Sequence, residues 1–231
     1  MRPDNSNTIA LIPARGGSKG VLKKNSKSFA GGKSLVERTI EKALNHFPKD
    51  RIVLSTDDKE LLIQGTNYGI SVIDREPHLA SDTAGMLEVM LDAIDKQEYS
   101  PEYILLLQPT SPFRTVKHIE EAFDLFKDGD HAVVAVNEPA GHPFYTLFQE
   151  ENGYISKFQK NQVVRRQDLP PMYDVNGLIY LFSVAELRKH SWVESEKIRP
   201  LIVPKWQAID IDNEEDWWLA ELIQRGMDSS G

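Results

Sequence analysis

The chain has 231 residues, of which 40% are hydrophobic and 27% are charged, with a net charge of −8 and no cysteine. This length supports one large α/β domain with a full core, and the acidic balance disfavours sequence-independent binding of nucleic acid, which needs a surplus of Lys and Arg. No disulfide can form, no stretch approaches the roughly 18 unbroken apolar residues of a membrane span, and the opening apolar run is too short for a signal peptide, so we expect a cytoplasmic protein with no membrane partner.

Five short apolar runs without polar alternation predict strands buried on both faces, as in a parallel sheet. In chain order they are Thr8–Pro13, Arg51–Thr56, Gly69–Asp74, Tyr103–Leu107 and Ala132–Val136. Helical patterns alternate with these runs. The first begins at a capping box of Ser34 and Glu37 and extends to about Phe47, and the next three are Asp58–Tyr68, Thr83–Lys96 and Thr115–Lys127. This alternation predicts an α/β fold with a doubly wound, Rossmann-like, mainly parallel sheet that binds ligands beyond the carboxyl ends of its strands.

The alternation stops after about Gly141. The segment 142–171 is polar but has too many aromatic residues for a disordered loop, and we expect it to be an arm that packs on a second subunit. Strand patterns return at Val175–Phe182, Leu201–Val203 and Ala208–Ile211, and a final helix begins at Asn213. Its expected buried face consists of Trp217, Trp218, Leu219, Leu222 and Ile223. We therefore predict one domain, 1–231, with the arm inserted in it.

The first predicted strand leads directly into the turn Ala14-Arg-Gly-Gly-Ser-Lys-Gly20. Its glycines allow backbone N–H groups to approach an anion, and its Arg and Lys add positive charge. The position at a strand end predicts a phosphate site; the alternative is an ordinary strand-to-helix turn with a solvated basic patch. The spacing fits neither the P-loop nor G-x-G-x-x-G, so an ordinary NTPase and a dinucleotide dehydrogenase lose support.

A second polar turn, Gln108-Pro-Thr-Ser-Pro-Phe-Arg114, follows the strand Tyr103–Leu107. Two prolines stiffen it, and side chains of several polar types gather at the carboxyl end of the strand. The alternative is a turn that only leads into the next helix, for which Thr115 supplies the cap.

Two acidic residues, Asp210 and Asp212, are predicted to share one face of a strand, because positions i and i+2 point to the same side. Neighbouring carboxylates repel unless a cation lies between them, so the pair suits Mg²⁺ with phosphate oxygens. Alternatively, Asp212 only precedes the cap at Asn213. A further pair, Arg165 and Arg166, is suited to a carboxylate, or forms an exposed basic patch on the arm.

These segments, in this order, resemble the acylneuraminate cytidylyltransferase family, the CMP-sialic acid synthetases. The shared motifs are IPARGGSKG followed by KN, LQPTSP with an arginine close behind, RRQ…NG..Y and DID, which extend from residue 12 to residue 212. Synthetases for the eight-carbon sugar Kdo carry a different first loop, so the resemblance is to the nine-carbon branch. It implies transfer of CMP from CTP to the anomeric hydroxyl of an acidic nine-carbon sugar, with Mg²⁺ as cofactor and a homodimer as the assembly.

The resemblance also implies roles for individual residues. The implied catalytic residues are Arg15, Lys19, Asp210 and Asp212, of which the two aspartates hold Mg²⁺. The implied nucleotide-binding residues are Ala14, Arg15, Gly16, Gly17, Ser18, Lys19, Lys24, Asn25, Arg75, Asp82, Thr83 and Ala84. Of these, Arg15, Ser18, Lys19 and Lys24 are implied to surround the triphosphate, and Asn25, Arg75 and the stretch Asp82–Ala84 to hold the cytidine. The implied sugar-binding residues are Gln108, Thr110, Ser111, Arg166, Asn176 and Tyr180.

Three positions depart from the family pattern. Tyr145 replaces a lysine that is frequent in sialic acid enzymes, Asp174 replaces an arginine, and Met86 replaces a serine. The first two are near the sugar in the family, so the sugar is N-acylneuraminate or, alternatively, legionaminate or pseudaminate. A rival from another class is a non-catalytic nucleotide-sensing protein on the same fold, which would need the phosphate turn but not the aspartate pair.

Overall fold

The computed structural model describes residues 2–158, 165–189 and 194–229. Nine strands are present in these ranges. They are β1 (Thr8–Pro13), β2 (Ile52–Thr56), β3 (Ser71–Asp74), β4 (Tyr103–Leu106), β5 (Ala132–Asn137), β6 (Phe148–Glu151), β7 (Tyr154–Lys157), β8 (Asp174–Ser183) and β9 (Ile198–Ile202).

Seven of the strands form one central sheet in the order β3-β2-β1-β4-β8-β5-β9. Strand β8 runs antiparallel to both of its neighbours, whereas every other pair in this sheet is parallel. The predicted mainly parallel sheet is confirmed. Because β8 is reversed, it begins at the edge where β4 and β5 end, next to the turns that carry the predicted site.

The helices alternate with the strands and cover both faces of the sheet. They are α1 (Leu35–Leu44), α2 (Lys59–Tyr68), α3 (Pro77–Ala80), α4 (Met86–Asp95), α5 (Val116–Leu125), α6 (Pro143–Thr146), α7 (Val184–Leu187) and α8 (Glu214–Asp228). The predicted capping box is present at α1, where the Ser34 hydroxyl accepts from the Glu37 N–H and the Glu37 carboxylate accepts from the Ser34 N–H. The third predicted helix begins at Met86 rather than Thr83.

Alternate residues of the buried strands face opposite layers of the core. In β1, Ala10 and Ile12 pack with residues of α1, α2 and α5, whereas Ile9 and Leu11 pack with residues of α4 and α7. Full burial on both faces explains why the strand sequences are continuously apolar. Within the described ranges, no helix is both long enough and apolar enough to cross a bilayer.

Helix α8 meets the rest of the molecule along a narrower stripe than predicted. Trp217 and Ala220 are buried, and the Trp217 ring meets Phe29 edge-on with 5.3 Å between centroids. Trp218 is 64% exposed, and Leu219 and Leu222 are 44% exposed, so their predicted burial is wrong. The helix covers only a small satellite core, so residues spaced by three and four positions along one side suffice to make the contact.

The predicted strand Ala208–Ile211 is also wrong. This segment is irregular, although it approaches the turn after β4, where the Ile211 N–H donates to the Thr110 carbonyl at 2.9 Å. The sheet already ends at β9, and the segment crosses the carboxyl ends of the strands instead of joining them. The alternation of apolar and acidic residues here therefore belongs to a segment that forms no strand pairing with the sheet.

The predicted arm contains α6 and a two-stranded antiparallel hairpin, β6–β7, whose residues are all exposed. Apolar side chains on and beside the hairpin face solvent, with Tyr154 81% and Ile155 71% exposed. Residues 159–164 lie outside the described chain. The expected contact of this arm with a second subunit stays a prediction.

Candidate active site

A cleft of about 420 Å³ opens beyond the carboxyl ends of β1 and β4. It brings together the basic turn, the polar turn and the aspartate segment, which are far apart in sequence. Its lining consists of Pro13, Arg15, Ser18, Lys19, Gly20, Lys24, Asn25, Arg75, Met86, Gln108, Pro109, Thr110, Asp210 and Asp212.

The basic turn is held in place by hydrogen bonds to the end of β2, to the residue after it and to Asn25. The Ala14 N–H donates to the Ser55 carbonyl at 2.9 Å, and the Gly16 N–H donates to the Asp57 carboxylate at 2.8 Å. The Asn25 amide donates to the Arg15 carbonyl at 2.9 Å, which ties the far side of the turn. These contacts leave the Arg15 side chain on the cleft wall.

The two cations of the turn share one carboxylate. Arg15 Nη1 lies 2.8 Å from one Asp82 oxygen, and Lys19 Nζ lies 2.5 Å from the other. These hydrogen bonds, with that from Lys19 the larger cause, lower the pKa of Asp82. Asp82 was predicted to contact cytidine, but its carboxylate here occupies the position in which the turn would receive an anion.

Lys24 links the basic turn to the aspartate segment. It is 9% exposed, and its ammonium group donates to the Ile211 carbonyl and lies 3.4 Å from the Asp212 carboxylate. Gly20 makes the close approach possible, because a Cβ at this position would lie 1.8 Å from the Asp212 carbonyl oxygen. The two segments therefore form one wall of the cleft.

Asp210 and Asp212 differ in their environments. Asp212 is exposed, whereas Asp210 is half-buried and one of its oxygens, Oδ1, is buried with no hydrogen-bond partner in the described chain. Burial raises the pKa of Asp210, the nearby Asp212 raises it further, and a hydrogen bond from the Thr110 side chain lowers it.

The aspartate pair fits a divalent cation. A buried carboxylate oxygen without a donor is an open ligand position, and carboxylates with phosphate oxygens and water are the ligands that Mg²⁺ prefers. The described residues contain no group of three or more acidic or His side chains that could enclose a metal. Asp210 and Asp212 would thus supply only part of a coordination shell.

Beside the polar turn, three side-chain oxygens converge on Gly177 in the first half of β8. A Cβ on this residue would lie 2.6 Å from Gln108 Oε1, 2.8 Å from Ser111 Oγ and 3.3 Å from Asp210 Oδ2. Ser111 is buried, and its hydroxyl has no hydrogen-bond partner in the described part of the chain. The absence of a side chain at Gly177 lets the polar turn approach Asp210.

The other predicted sugar-binding residues, Asn176, Tyr180 and Arg166, are not part of the described cleft lining. Asn176 is buried, and its amide donates to the Asn137 side chain at 3.1 Å while its oxygen accepts from the Leu178 N–H at 3.2 Å. Tyr180 stacks on Phe182, and burial, with the nearby charge of Asp210, raises its pKa to about 12. Arg166 begins a short 3₁₀ turn, and its side chain lies outside the described residues.

Arg75 forms the end of the cleft farthest from Gln108 along the sheet. It is 6% exposed, and its guanidinium donates to the Ser55 hydroxyl at 3.1 Å and to the Ser55 carbonyl at 2.6 Å. Thr83 and Ala84, predicted with Asp82 to hold cytidine, are not part of the described lining.

A comparison of the sequence with protein families gives a match to the cytidylyltransferase family over residues 9–199. The chain belongs to this family. The matched range contains the basic turn, the polar turn and all but the end of the sheet, so the predicted family is confirmed.

Two curated relatives match most of this chain. A CMP-N,N'-diacetyllegionaminic acid synthase from Legionella pneumophila is 34% identical over 223 residues, which cover 93% of this chain and 95% of the relative. An N-acylneuraminate cytidylyltransferase from Streptococcus agalactiae is 34% identical over 214 residues, covering 90% of this chain but 51% of the relative.

Solved structures support the fold. A CMP:2-keto-3-deoxy-manno-octonic acid synthetase complexed with CTP has a TM-score of 0.67 and 16% sequence identity, covering 95% of this chain and 99% of that one. At this identity the comparison shows a shared architecture, the same α/β sheet with its helices.

Several residues of the cleft were not predicted to bind anything. Gly20 is part of the basic turn, but its contact is with Asp212, which is far away in sequence, so no local pattern predicts it. Pro13 and Pro109 flank predicted residues, and Met86 was noted only as a departure from the family pattern. Asp57, which holds the Gly16 N–H, directly follows β2 and was detectable only as a polar residue at a strand end.

Proposed function

We propose that the chain transfers CMP from CTP to the anomeric hydroxyl of an acidic nine-carbon 2-keto sugar and releases pyrophosphate. Membership of the cytidylyltransferase family supports the reaction class. The observation that carries the proposal is the shared cleft, which is lined by the cations Arg15 and Lys19 together with Asp210, whose buried Oδ1 has no hydrogen-bond partner in the described chain.

The charged residues have complementary roles in this reaction. Arg15 and Lys19 bind the triphosphate and stabilise the departing pyrophosphate, after displacement of the Asp82 carboxylate from both cations. Asp210 and Asp212 would hold Mg²⁺, which when bound would supply positive charge for the phosphate oxygens. Catalysis is then mostly positioning and charge stabilisation, as in other phosphoryl transfers.

Atoms are conserved in a single displacement. The sugar hydroxyl oxygen forms a bond to the α-phosphorus of CTP. The bond from the α-phosphorus to the oxygen that bridges to the β-phosphorus breaks, pyrophosphate leaves, and the hydroxyl proton passes to an acceptor. Asp212, whose side chain is 77% exposed, is the candidate proton acceptor on the protein.

The sugar is proposed as a nonulosonic acid, with N-acylneuraminate and legionaminate as the first candidates and pseudaminate as the third. The two relatives described above support the first two. Gln108, Thr110, Ser111, Arg166, Asn176 and Tyr180 are proposed for the sugar side. The proposed cell compartment is the cytoplasm, from the composition without cysteine.

The direct test is pyrophosphate release with CTP, Mg²⁺ and each of these sugars in turn. Arg15→Ala and Asp212→Ala should each lower kcat by at least about 100-fold, because loss of one charged contact to a transition-state phosphate costs about 3 kcal/mol. Lys23→Ala is the matched control, since Lys23 is exposed, pairs with Glu60 and is not part of the described lining.

Near-normal turnover in both cleft variants would contradict the mechanism. Tight CTP binding without pyrophosphate release for any sugar would favour the nucleotide-sensing alternative. Release with one sugar alone would identify the substrate.

We further propose a homodimer in which the arm 142–171 contacts the second subunit. The support is the exposed apolar surface of the hairpin, which a monomer leaves in water.

A further inference from the structure

Arg114 is a buried cation behind the wall of the cleft. It is the last residue of the polar turn before the α5 cap, and it is 2% exposed. Its Nε donates to the Leu178 carbonyl at 2.5 Å, and its Nη2 donates to the Gln108 carbonyl at 2.7 Å and lies 3.4 Å from the Gly177 carbonyl. The side chain thus joins the turn after β4 to the beginning of β8.

These contacts occur where the sheet splits. The antiparallel ladder of β4 and β8 ends with the pair Leu106 and Tyr180. If the ladder continued in the same register, Gln108 would pair with Leu178. The ladder has already ended there, and the Arg114 guanidinium donates to the carbonyls of both residues. A buried carbonyl without a donor is costly, and the fixed fork of an arginine can serve several at once.

Side chains proposed for the sugar and the metal converge at the same place. Gly177, whose carbonyl faces Arg114, is surrounded by the side-chain oxygens of Gln108, Ser111 and Asp210. A change in the distance between the Gln108 turn and β8 would therefore move these groups relative to one another.

The positive charge at this position also has a consequence for the site. Burial lowers the pKa of Arg114 to about 9, and the negative charge of Asp210 raises it. Within the described chain no carboxylate lies at ion-pair distance from Arg114, so its charge is directed mainly at main-chain carbonyls and, from farther away, at Asp210.

We infer that Arg114 is a positioning residue: it holds the ends of β4 and β8 at a fixed separation and thereby sets Gln108 and Asp210 for the sugar and the metal. The inference rests on the proposed function for the roles of those two residues. Arg114 itself is 2% exposed and is not part of the described cleft lining, so we assign it no direct contact with a substrate.

The first test compares Arg114→Lys and Arg114→Gln with the wild type. Lysine keeps the charge but cannot donate to three carbonyls in a forked geometry. With the sugar that gives the fastest pyrophosphate release, kcat/KM for the sugar should fall about 10- to 100-fold, since small misplacements of reacting groups have effects of this size. The Kd for CTP, measured by calorimetry without sugar and without Mg²⁺ so that Asp210 does not contribute through the metal, should change by less than about threefold.

A double-mutant cycle separates positioning from general support of the fold. If Arg114 acts through the Gln108 side chain, the loss in Arg114→Lys/Gln108→Ala should be smaller than the product of the two single losses. Arg51→Lys is the matched control, because Arg51 stacks on Tyr99 with 3.7 Å to the ring centroid at the opposite end of the sheet. It should leave both kcat/KM and the Kd for CTP unchanged.

A third measurement does not depend on turnover. In ¹⁵N-labelled protein, the NMR signal of the Gln108 side-chain amide should shift in Arg114→Lys and stay in place in Arg51→Lys. If the wild type releases no pyrophosphate, the proposed function fails while this signal still tests Arg114. The positioning role would be overturned if the losses in the double-mutant cycle multiply. It would also be overturned if CTP binding falls as much as turnover does, or if the Gln108 signal does not move.

Discussion

At the residue scale, Asp210 carries one oxygen that is buried without a hydrogen-bond partner and a pKa that burial raises above the ordinary value of 3.8. In the folded protein the ionised form is therefore disfavoured relative to the unfolded chain. This unfavourable contribution is absent below the unfolded pKa and develops as the pH rises from that value through the raised pKa. It is fully present once the pH exceeds the raised pKa.

Asp210→Asn should therefore stabilise the protein without ligands at pH 7 while it abolishes activity. Thermal unfolding should give a higher Tm than for the wild type, and the difference should shrink as the pH falls towards about 4, where the wild-type carboxyl group becomes protonated in both states. Mg²⁺ with CTP should raise the Tm of the wild type more than that of the variant, because only the wild type retains the full carboxylate pair.

Asp50→Asn is the control for this measurement. Asp50 is 75% exposed and lies before β2, at the end of the sheet opposite the cleft. The prediction would be contradicted by an Asp210→Asn variant that is less stable than the wild type at pH 7, or by a Tm difference that grows on acidification.

The Asp82 carboxylate makes a separate prediction, because it occupies both cations of the basic turn. Asp82→Asn should remove a competitor of the triphosphate and tighten CTP binding by a factor of about two to five, a small effect because the pair is exposed to solvent. Calorimetric titration with CTP at low ionic strength measures it, and added salt should reduce the difference.

Asp74→Asn is suited as the control, since Asp74 ends β3 and pairs with neither Arg15 nor Lys19 among the described contacts. Weaker CTP binding in Asp82→Asn would show instead that the carboxylate contributes to cytidine binding, as the family resemblance implies.

At the element scale, the basic turn and the aspartate segment depend on one glycine. A Cβ on Gly20 would lie 1.8 Å from the Asp212 carbonyl oxygen and 2.9 Å from its carbonyl carbon, so Gly20→Ala must push the two main chains apart. We expect a loss of about 1–3 kcal/mol in the free energy of unfolding and a drop in kcat/KM of about 100-fold from the displaced aspartates. Urea unfolding and pyrophosphate release measure the two effects.

Gly226→Ala in α8 provides the comparison, because a Cβ there meets nothing within 4 Å. It should stabilise the helix by up to about 1 kcal/mol, as alanine does in a helix interior, and leave turnover unchanged. Equal behaviour of the two alanine variants would show that the approach of the turn to Asp212 is not needed.

The elements themselves were largely predictable because their signals are local. Ser34, Asp58, Thr115 and Asn213 each cap a helix through hydrogen bonds to residues two or three positions away, and such spacing is visible in sequence. The irregular segment 208–211 was mistaken for a strand because its alternation arises from packing across the strand ends, which no local pattern records.

The motifs that line the candidate cleft were predictable to a similar degree and for a similar reason. The basic turn, the polar turn and the aspartate pair are short motifs, and the cleft contains residues of all three. Arg114, Lys24 and Gly20 each contact main-chain atoms of a segment at least 60 residues away. Such contacts leave no pattern in the local sequence. The direction of β8 was likewise not evident from its apolar run.

At the scale of the whole molecule, the hairpin leaves apolar side chains exposed to solvent. Ile155 is 71% exposed and lies opposite Glu150 in the hairpin. Ile155→Lys should preserve the hairpin, since it creates an opposite-charge cross-strand pair, but it places a charge on the proposed subunit contact. We expect the Kd of self-association to rise at least about tenfold, as for a central apolar contact.

Sedimentation velocity over a range of protein concentrations measures this change. Ile63→Lys is the control, because Ile63 is 63% exposed on α2 and outside the hairpin. A monomeric wild type, or equal association of the two variants, would contradict the proposed role of the arm.

The reversed direction of β8 has one more consequence. The chain leaves β5 and enters β8 at the same edge of the sheet, where Asn137 pairs with Asp174. The intervening segment therefore begins and ends at adjacent points, and lengthening or replacing it adds only a slowly growing closure entropy. Insertions into this excursion away from Arg166, the residue proposed for the sugar side, should therefore leave the order of the strands unchanged.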